Sequence, residues 1–165
     1  MLLLPPEKQV FVYAAWMLLA PQERRTYHVT AVTAQRQRLF QVTATVELLQ
    51  QTMLDYRDQG KFLLHAFVIM PEHFHVLITP AADVSLEKAV QFIKGGFSFR
   101  LKRKGDVWMR SFNESQILTE EAFVACVRYI EENPVRKRLV FKPEEFAYSS
   151  AGRGFLDPMP DHFRG

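Results

Sequence analysis

The chain has 165 residues, enough for one ordinary domain with a single sizeable core. Apolar residues make up 48% and charged residues 24%, which excludes a disordered chain, and a net charge of +3 is too mild to imply nucleic acid by itself. A single cysteine, Cys126, excludes an internal disulfide framework and a CxxC zinc pattern, and fits a reducing cytoplasm.

Residues 10–20 (VFVYAAWMLLA) are apolar but short of the roughly 20 residues that a membrane-spanning helix needs. The start, MLLLPPEKQ, lacks the basic opening of a signal peptide, and Met17 offers an alternative start. Residues 1–25 therefore read as an N-terminal extension with no membrane span. Residues 26–33 (TYHVTAVT) are β-branched and aromatic and predict a strand. Residues 43–58 place Val46, Leu49, Met53 and Leu54 at helical spacing, with Gly60 as a stop. Residues 61–70 and 73–79 predict two strands joined at Pro71-Glu72, a hairpin.

A second helix is expected over 84–104, capped by Asp83 or Ser85. Gly95-Gly96 inside it costs helix stability, so either the helix breaks there or something approaches its backbone closely. Residues 107–118 predict a fourth strand with its approach. Thr119, followed by Glu120 and Glu121, suits the start of a third helix running to about Asn133, which Pro134 ends. Cys126, in the apolar run FVACVRYI, reads as a small core residue. The order β-α-β-β-α-β-α predicts an α+β, ferredoxin-like split β-α-β sheet with an additional C-terminal helix that carries Tyr129.

Three groups of residues carry chemistry. Strand alternation puts His73 and His75 on one face and Phe74, Val76 and Ile78 on the other, so the two imidazoles can share one metal ion. Taken alone, the pair reads more readily as two surface histidines on a half-exposed strand, since such triplets arise by chance. Tyr129 and Asn133 are four apart and share a helix face, off the stripe of Phe123, Val127 and Ile130. A tyrosine oxygen can act as a covalent nucleophile, although a surface tyrosine with an asparagine cap has the same spacing. Lys94, Arg100, Lys102, Arg103, Lys104 and Arg110 face one acid, Asp106, while Arg128, Arg136, Lys137, Arg138 and Lys142 follow. Phe97, Phe99, Trp108 and Phe112 interleave with the first group. Cations track phosphates and aromatic rings stack on bases, or the aromatics turn into the core.

Taken together, MPEHFHVLITP resembles the signature strand of the single-tyrosine HUH transposases (the IS200-like group). RYIEENPVRKRLV with FAYSS, YHVTAVTAQRQRLF, and KGGFSFRLKRKGDVWMRSFNESQIL are similar to segments of their REP-associated tyrosine transposase branch. The likeness covers about residues 26–150, which would be the transposase domain, with 151–165 a tail. It implies a ferredoxin-like fold and a divalent cation, Mg2+ or Mn2+, held by His73, His75 and Asn133. Tyr129 would be the catalytic nucleophile, nicking single-stranded DNA beside a hairpin and transferring the strand through a 5′-phosphotyrosine. Asn133 stands where some relatives carry glutamine, and Glu72 where the family often carries asparagine. Glu72 could orient a histidine.

Lys94, Arg100, Arg103 and Arg136 are the expected phosphate contacts. His28 and His65 read as structural or peripheral strand histidines. The alternative is a ferredoxin-like nucleic-acid-binding module without catalysis. The sequence leaves open a monomer or a homodimer, and whether the tyrosine works in its own chain or the partner's.

Overall fold

The computed structural model describes residues 24–153 and 156–164, so the apolar stretch over 10–20 lies outside the described residues. Four strands form: β1 (Thr26–Val32), β2 (Phe62–Met70), β3 (His73–Pro80) and β4 (Asn113–Ile117). They make one antiparallel sheet in the order β2-β3-β1-β4. Two long helices, α1 (Thr43–Asp58) and α2 (Leu86–Leu101), fall between β1 and β2 and between β3 and β4. α3 (Glu120–Glu131) and a short α4 (Asn133–Arg136) follow. This is the ferredoxin-like arrangement expected from the order of elements.

β2 and β3 are buried on both faces, as strands covered on both sides must be. Leu64, Phe67, Ile69, Phe74, Val76 and Ile78 face one core with α1 and α2. Ala66, Val68, Met70 and Leu77 face a second, smaller core with Phe123, Cys126 and Ile130 of α3. The site described below lies on this second face.

The glycine pair in α2 resolves as a close approach, not a break. The helix runs unbroken to Leu101, and a Cβ on Gly96 would stand 2.6 Å from Cε2 of Tyr56 in α1. Ser85 caps α2, its Oγ accepting from the Lys88 N–H at 3.1 Å. Thr119 caps α3 in the same way through the Ala122 N–H. The helix expected over 84–104 stops earlier because Lys102 turns left-handed. The strand expected over 107–118 shortens to Asn113–Ile117, while Trp108 meets β1 only through an isolated bridge to Thr33.

The expectation that Pro134 ends the helix needs correction. α3 does stop at Glu131, but Pro134 sits in the first turn of α4, where a missing N–H costs nothing. The Arg136 and Lys137 N–H groups bond back to Glu132 and Asn133, so the chain stays helical one turn past Tyr129.

The outer edge of β2 is covered by the segment after α4. Ile69 N–H donates to Tyr148 O, and Ser150 N–H donates to Phe67 O. Asp157 N–H donates to Leu64 O, while the Asp157 carboxylate accepts from the Leu64 N–H at 2.8 Å. These bonds remove an exposed strand edge. Among the described residues, no helix is long and apolar enough to cross a membrane.

Candidate active site

β3 carries His73 and His75 on the face that looks toward α3, because Phe74 and Val76 point into the larger core. The two imidazole rings stand 5.0 Å apart and nearly perpendicular. Each has its Nδ1 engaged. Glu72 Oε1 lies 2.9 Å from His73 Nδ1, and a carboxylate can only accept, so that nitrogen donates. Thr30, directly opposite on β1, brings its Oγ1 to 2.8 Å from His75 Nδ1. His28 brings its Nε2 to 3.0 Å from the same atom.

α3 delivers the tyrosine. Phe123, Cys126 and Ile130, spaced three and four apart, anchor the helix in the second core. Tyr129 is thereby left on the flank, 47% exposed, with its ring 5.8 Å from His75 and 5.8 Å from His28. The last turn of α3 is tied to β2 through Ser150. Its Oγ donates to Glu131 Oε1 at 2.8 Å and accepts from the Phe67 N–H at 3.1 Å. Arg136 lays its guanidinium 4.3 Å from the Tyr129 ring centre and donates to the Tyr129 carbonyl at 2.6 Å.

Asn133 follows one helical turn after Tyr129 and is only 4% exposed. Its Oδ1 is the one buried side-chain polar atom among the described residues without a hydrogen-bond partner. Buried polar groups are nearly always paired, so an orphaned amide oxygen one turn after Tyr129 stands out as an atom with acceptor capacity to spare. Among the described residues, no group of three or more His, Cys, Asp or Glu could hold a metal ion. Any cation held by the two histidines would thus draw its remaining ligands from other kinds of group, such as an amide, water or substrate oxygen. Burial, then the neighbouring His73, His28 and Arg136, push His75 down to about 3. It is neutral at physiological pH, the form an imidazole needs as a ligand.

The remaining residues singled out from sequence lie elsewhere. Lys94 donates to the Met109 carbonyl at 2.9 Å, Arg100 to Asp55 Oδ2 at 2.7 Å, and Arg103 to Gln37 Oε1 at 2.7 Å. None of these bonds joins them to Tyr129, His73 or His75. Phe97 and Trp108 pack against Phe40 in the larger core, whereas Phe99 is 82% exposed. His65 is structural: its Nδ1 donates to the Asp157 carbonyl at 3.0 Å, and its Nε2 meets Thr79 Oγ1 at 2.8 Å.

His28 and Thr30 were not legible as site residues. Alternation shows that they share a face, but only the β1–β3 register sets them against His75.

The family described as IS200-like transposases matches residues 22–133. No curated protein matches the chain. Among solved structures, it is similar to a REP-associated tyrosine transposase bound to a REP hairpin. The TM-score is 0.68 and the identity 26%, over 81% of this chain and 82% of that one. It also shares its fold with a Deinococcus radiodurans R1 protein described as a candidate transposase. There the TM-score is 0.50 and the identity 22%, over 67% of this chain and 91% of that one.

Proposed function

The chain belongs to the IS200-like transposase family, and on that premise we propose that it nicks and rejoins single-stranded DNA beside a hairpin, with Tyr129 as nucleophile and a divalent cation held by His73, His75 and Asn133. The observation that carries this reading is the meeting of the tyrosine helix with the histidine strand. Tyr129 of α3 stands against His75 of β3, and the unpartnered Asn133 oxygen follows one turn later. The similarity to a hairpin-bound transposase supports DNA of that kind as the substrate.

Two imidazoles and one amide oxygen suit Mg2+ or Mn2+, and the half-open set leaves room for oxygens from the substrate. When bound, the ion supplies Lewis-acid chemistry that neutralises charge on the scissile phosphate. The protein's own contribution is orientation. Glu72 fixes the His73 ring by accepting from Nδ1, which leaves Nε2 to face a ligand. Arg136, stacked on Tyr129, places a permanent positive charge where the phosphate must enter. Of the four expected cations, Arg136 is the one whose guanidinium lies on the Tyr129 ring, whereas Lys94, Arg100 and Arg103 bond to residues away from it, so Arg136 is the first to meet the strand.

The Tyr129 hydroxyl loses its proton and its oxygen bonds to phosphorus as the bond to the 3′ oxygen breaks. The downstream strand stays on the enzyme through a 5′-phosphotyrosine, and the upstream strand leaves with a 3′ hydroxyl. A second 3′ hydroxyl reverses the step and joins a new strand. One phosphodiester is exchanged for another, so no nucleotide triphosphate is consumed. Tyr129 and His75 meet within one chain, which supports a tyrosine acting on its own chain's histidines.

End-labelled hairpin oligonucleotides test this. With Mn2+, a 3′ label should move into a protein-linked band on a denaturing gel, while a 5′ label should appear on a shorter free strand. Both should vanish with EDTA. Reversed polarity, or cleavage that survives chelation, would contradict the reading.

A further inference from the structure

His28 is the residue whose position was least expected. Its Nε2 lies 3.0 Å from His75 Nδ1, its ring is 5.2 Å from the His75 ring, and it meets the Tyr129 ring edge-on at 5.8 Å. It thus touches a proposed ligand and the proposed nucleophile together.

The chemistry of the His28–His75 contact has two states. A neutral imidazole carries one proton, on either Nδ1 or Nε2. If His75 carries its proton on Nδ1, that N–H donates to Thr30 Oγ1 or to His28 Nε2, and the lone pair on Nε2 is free for a metal. His28 can accept only when its own proton sits on Nδ1. In the opposite arrangement His28 Nε2–H donates to His75 Nδ1. The His75 proton is then on Nε2, and the nitrogen needed for ligation is blocked. Which state prevails is decided at one 3.0 Å contact.

We propose that His28 is a positioning residue of this site, holding His75 in the tautomer that leaves its Nε2 open to a divalent cation while its ring edge seats Tyr129. The inference rests on the metal-dependent reading above. It extends that reading to a residue outside the ligand set, and it assigns Thr30 as the second acceptor for the same N–H. The sharing of one hydrogen between two acceptors also predicts how they fail. Removing both should cost more than the sum of the single losses, because each can partly stand in for the other.

The test is Mn2+ binding by the full chain in the absence of DNA, measured by titration calorimetry, with the melting temperature of every variant as a control on folding. His28→Phe keeps a ring against Tyr129 but removes the acceptor. It should raise the Mn2+ Kd by about tenfold, the low end for a lost outer-shell partner. His28→Gln returns an acceptor on a side chain of similar reach and should recover most of the affinity. His28→Phe with Thr30→Val should lose more than the two singles combined. If the phenyl variant does not fold, His28→Leu carries the same comparison.

A folded His28→Phe protein that binds Mn2+ like the wild type, while His75→Ala abolishes binding, would overturn the role of His28 and leave the metal reading intact. A glutamine variant as weak as the phenylalanine variant would overturn the hydrogen-bond assignment. No Mn2+ binding by the wild type would overturn the metal reading, and this inference with it.

Discussion

Asn133 stands where a stability-minded design would not put it. Its side-chain oxygen is buried and unpartnered, a placement that costs about 1–3 kcal/mol. If the oxygen is there for a cation, Asn133→Ala should leave the metal-free melting temperature unchanged or raise it. The same change should remove most of the melting-temperature rise that Mn2+ produces. For scale, a ligand at 100 times its Kd stabilises the native state by about 2.7 kcal/mol. Loss of stability without metal and an unaltered Mn2+ response would make Asn133 a packing residue.

A spacing of four put Tyr129 and Asn133 on one face, and strand alternation did the same for His73 and His75, while the roles proposed for them came from the family resemblance. His28 was not readable as a site residue, because a histidine on β1 gains its meaning only from the strand beside it.

At the scale of elements, the α1–α2 contact is set by one missing side chain. Tyr56 is stacked on Phe92 at 5.0 Å and lies under Arg100, so its ring has little room to give. Gly96→Ala would press a methyl group against it, and overpacking of this kind costs about 1–3 kcal/mol. The expected result is a melting temperature lower by about 2–12 °C with no change in DNA chemistry, as about 2–4 °C follows each kcal/mol in a chain of this size. Tyr56→Ala in the same protein should recover part of the loss. The sequence showed the strain of a glycine pair inside a helix, but not which residue pressed on it.

His65 marks a β-bulge in β2, where the β2–β3 register shifts between Leu64 and Ala66, and it joins that strand to Thr79 and Asp157. Burial is the largest influence on it and lowers its pKa below the ordinary 6.5. The folded state therefore favours neutral His65. Its contribution is complete above about pH 6.5, the unfolded value, and is lost as pH falls through the lower folded value. The urea midpoint should drop between pH 7.5 and pH 5. Burial lowers His28 and His75 too, so the His65 share is the part of that drop missing in His65→Gln. A drop of equal size in the variant would remove His65 from the account.

For the molecule as a whole, the order of elements was enough to expect the fold, since hairpin and crossover rules leave few sheets for β-α-β-β-α-β. The sequence did not show the covering of β2 by Tyr148, Ser149, Ser150 and Asp157. Tyr148, Ser149 and Ser150 carry no strand pattern of their own and find their place only against a strand edge already formed. The cations were readable as a group but not individually. Arg100 and Arg136 look alike in sequence, yet one bridges two helices and the other lies on the tyrosine ring.

The sheet, the capped α3 and the Ser150 tie together bring one exposed phenol to one buried imidazole. The central claim is that this phenol becomes joined to DNA, and it is tested by comparing the wild type with Tyr129→Phe. Both would be incubated with Mn2+ and labelled single-stranded hairpin oligonucleotides and resolved on a denaturing gel. The account predicts a DNA-linked protein band for the wild type and none for the variant, with both proteins shifting the same DNA on a native gel. A band of equal strength in Tyr129→Phe would show that another residue forms the bond and would contradict the account.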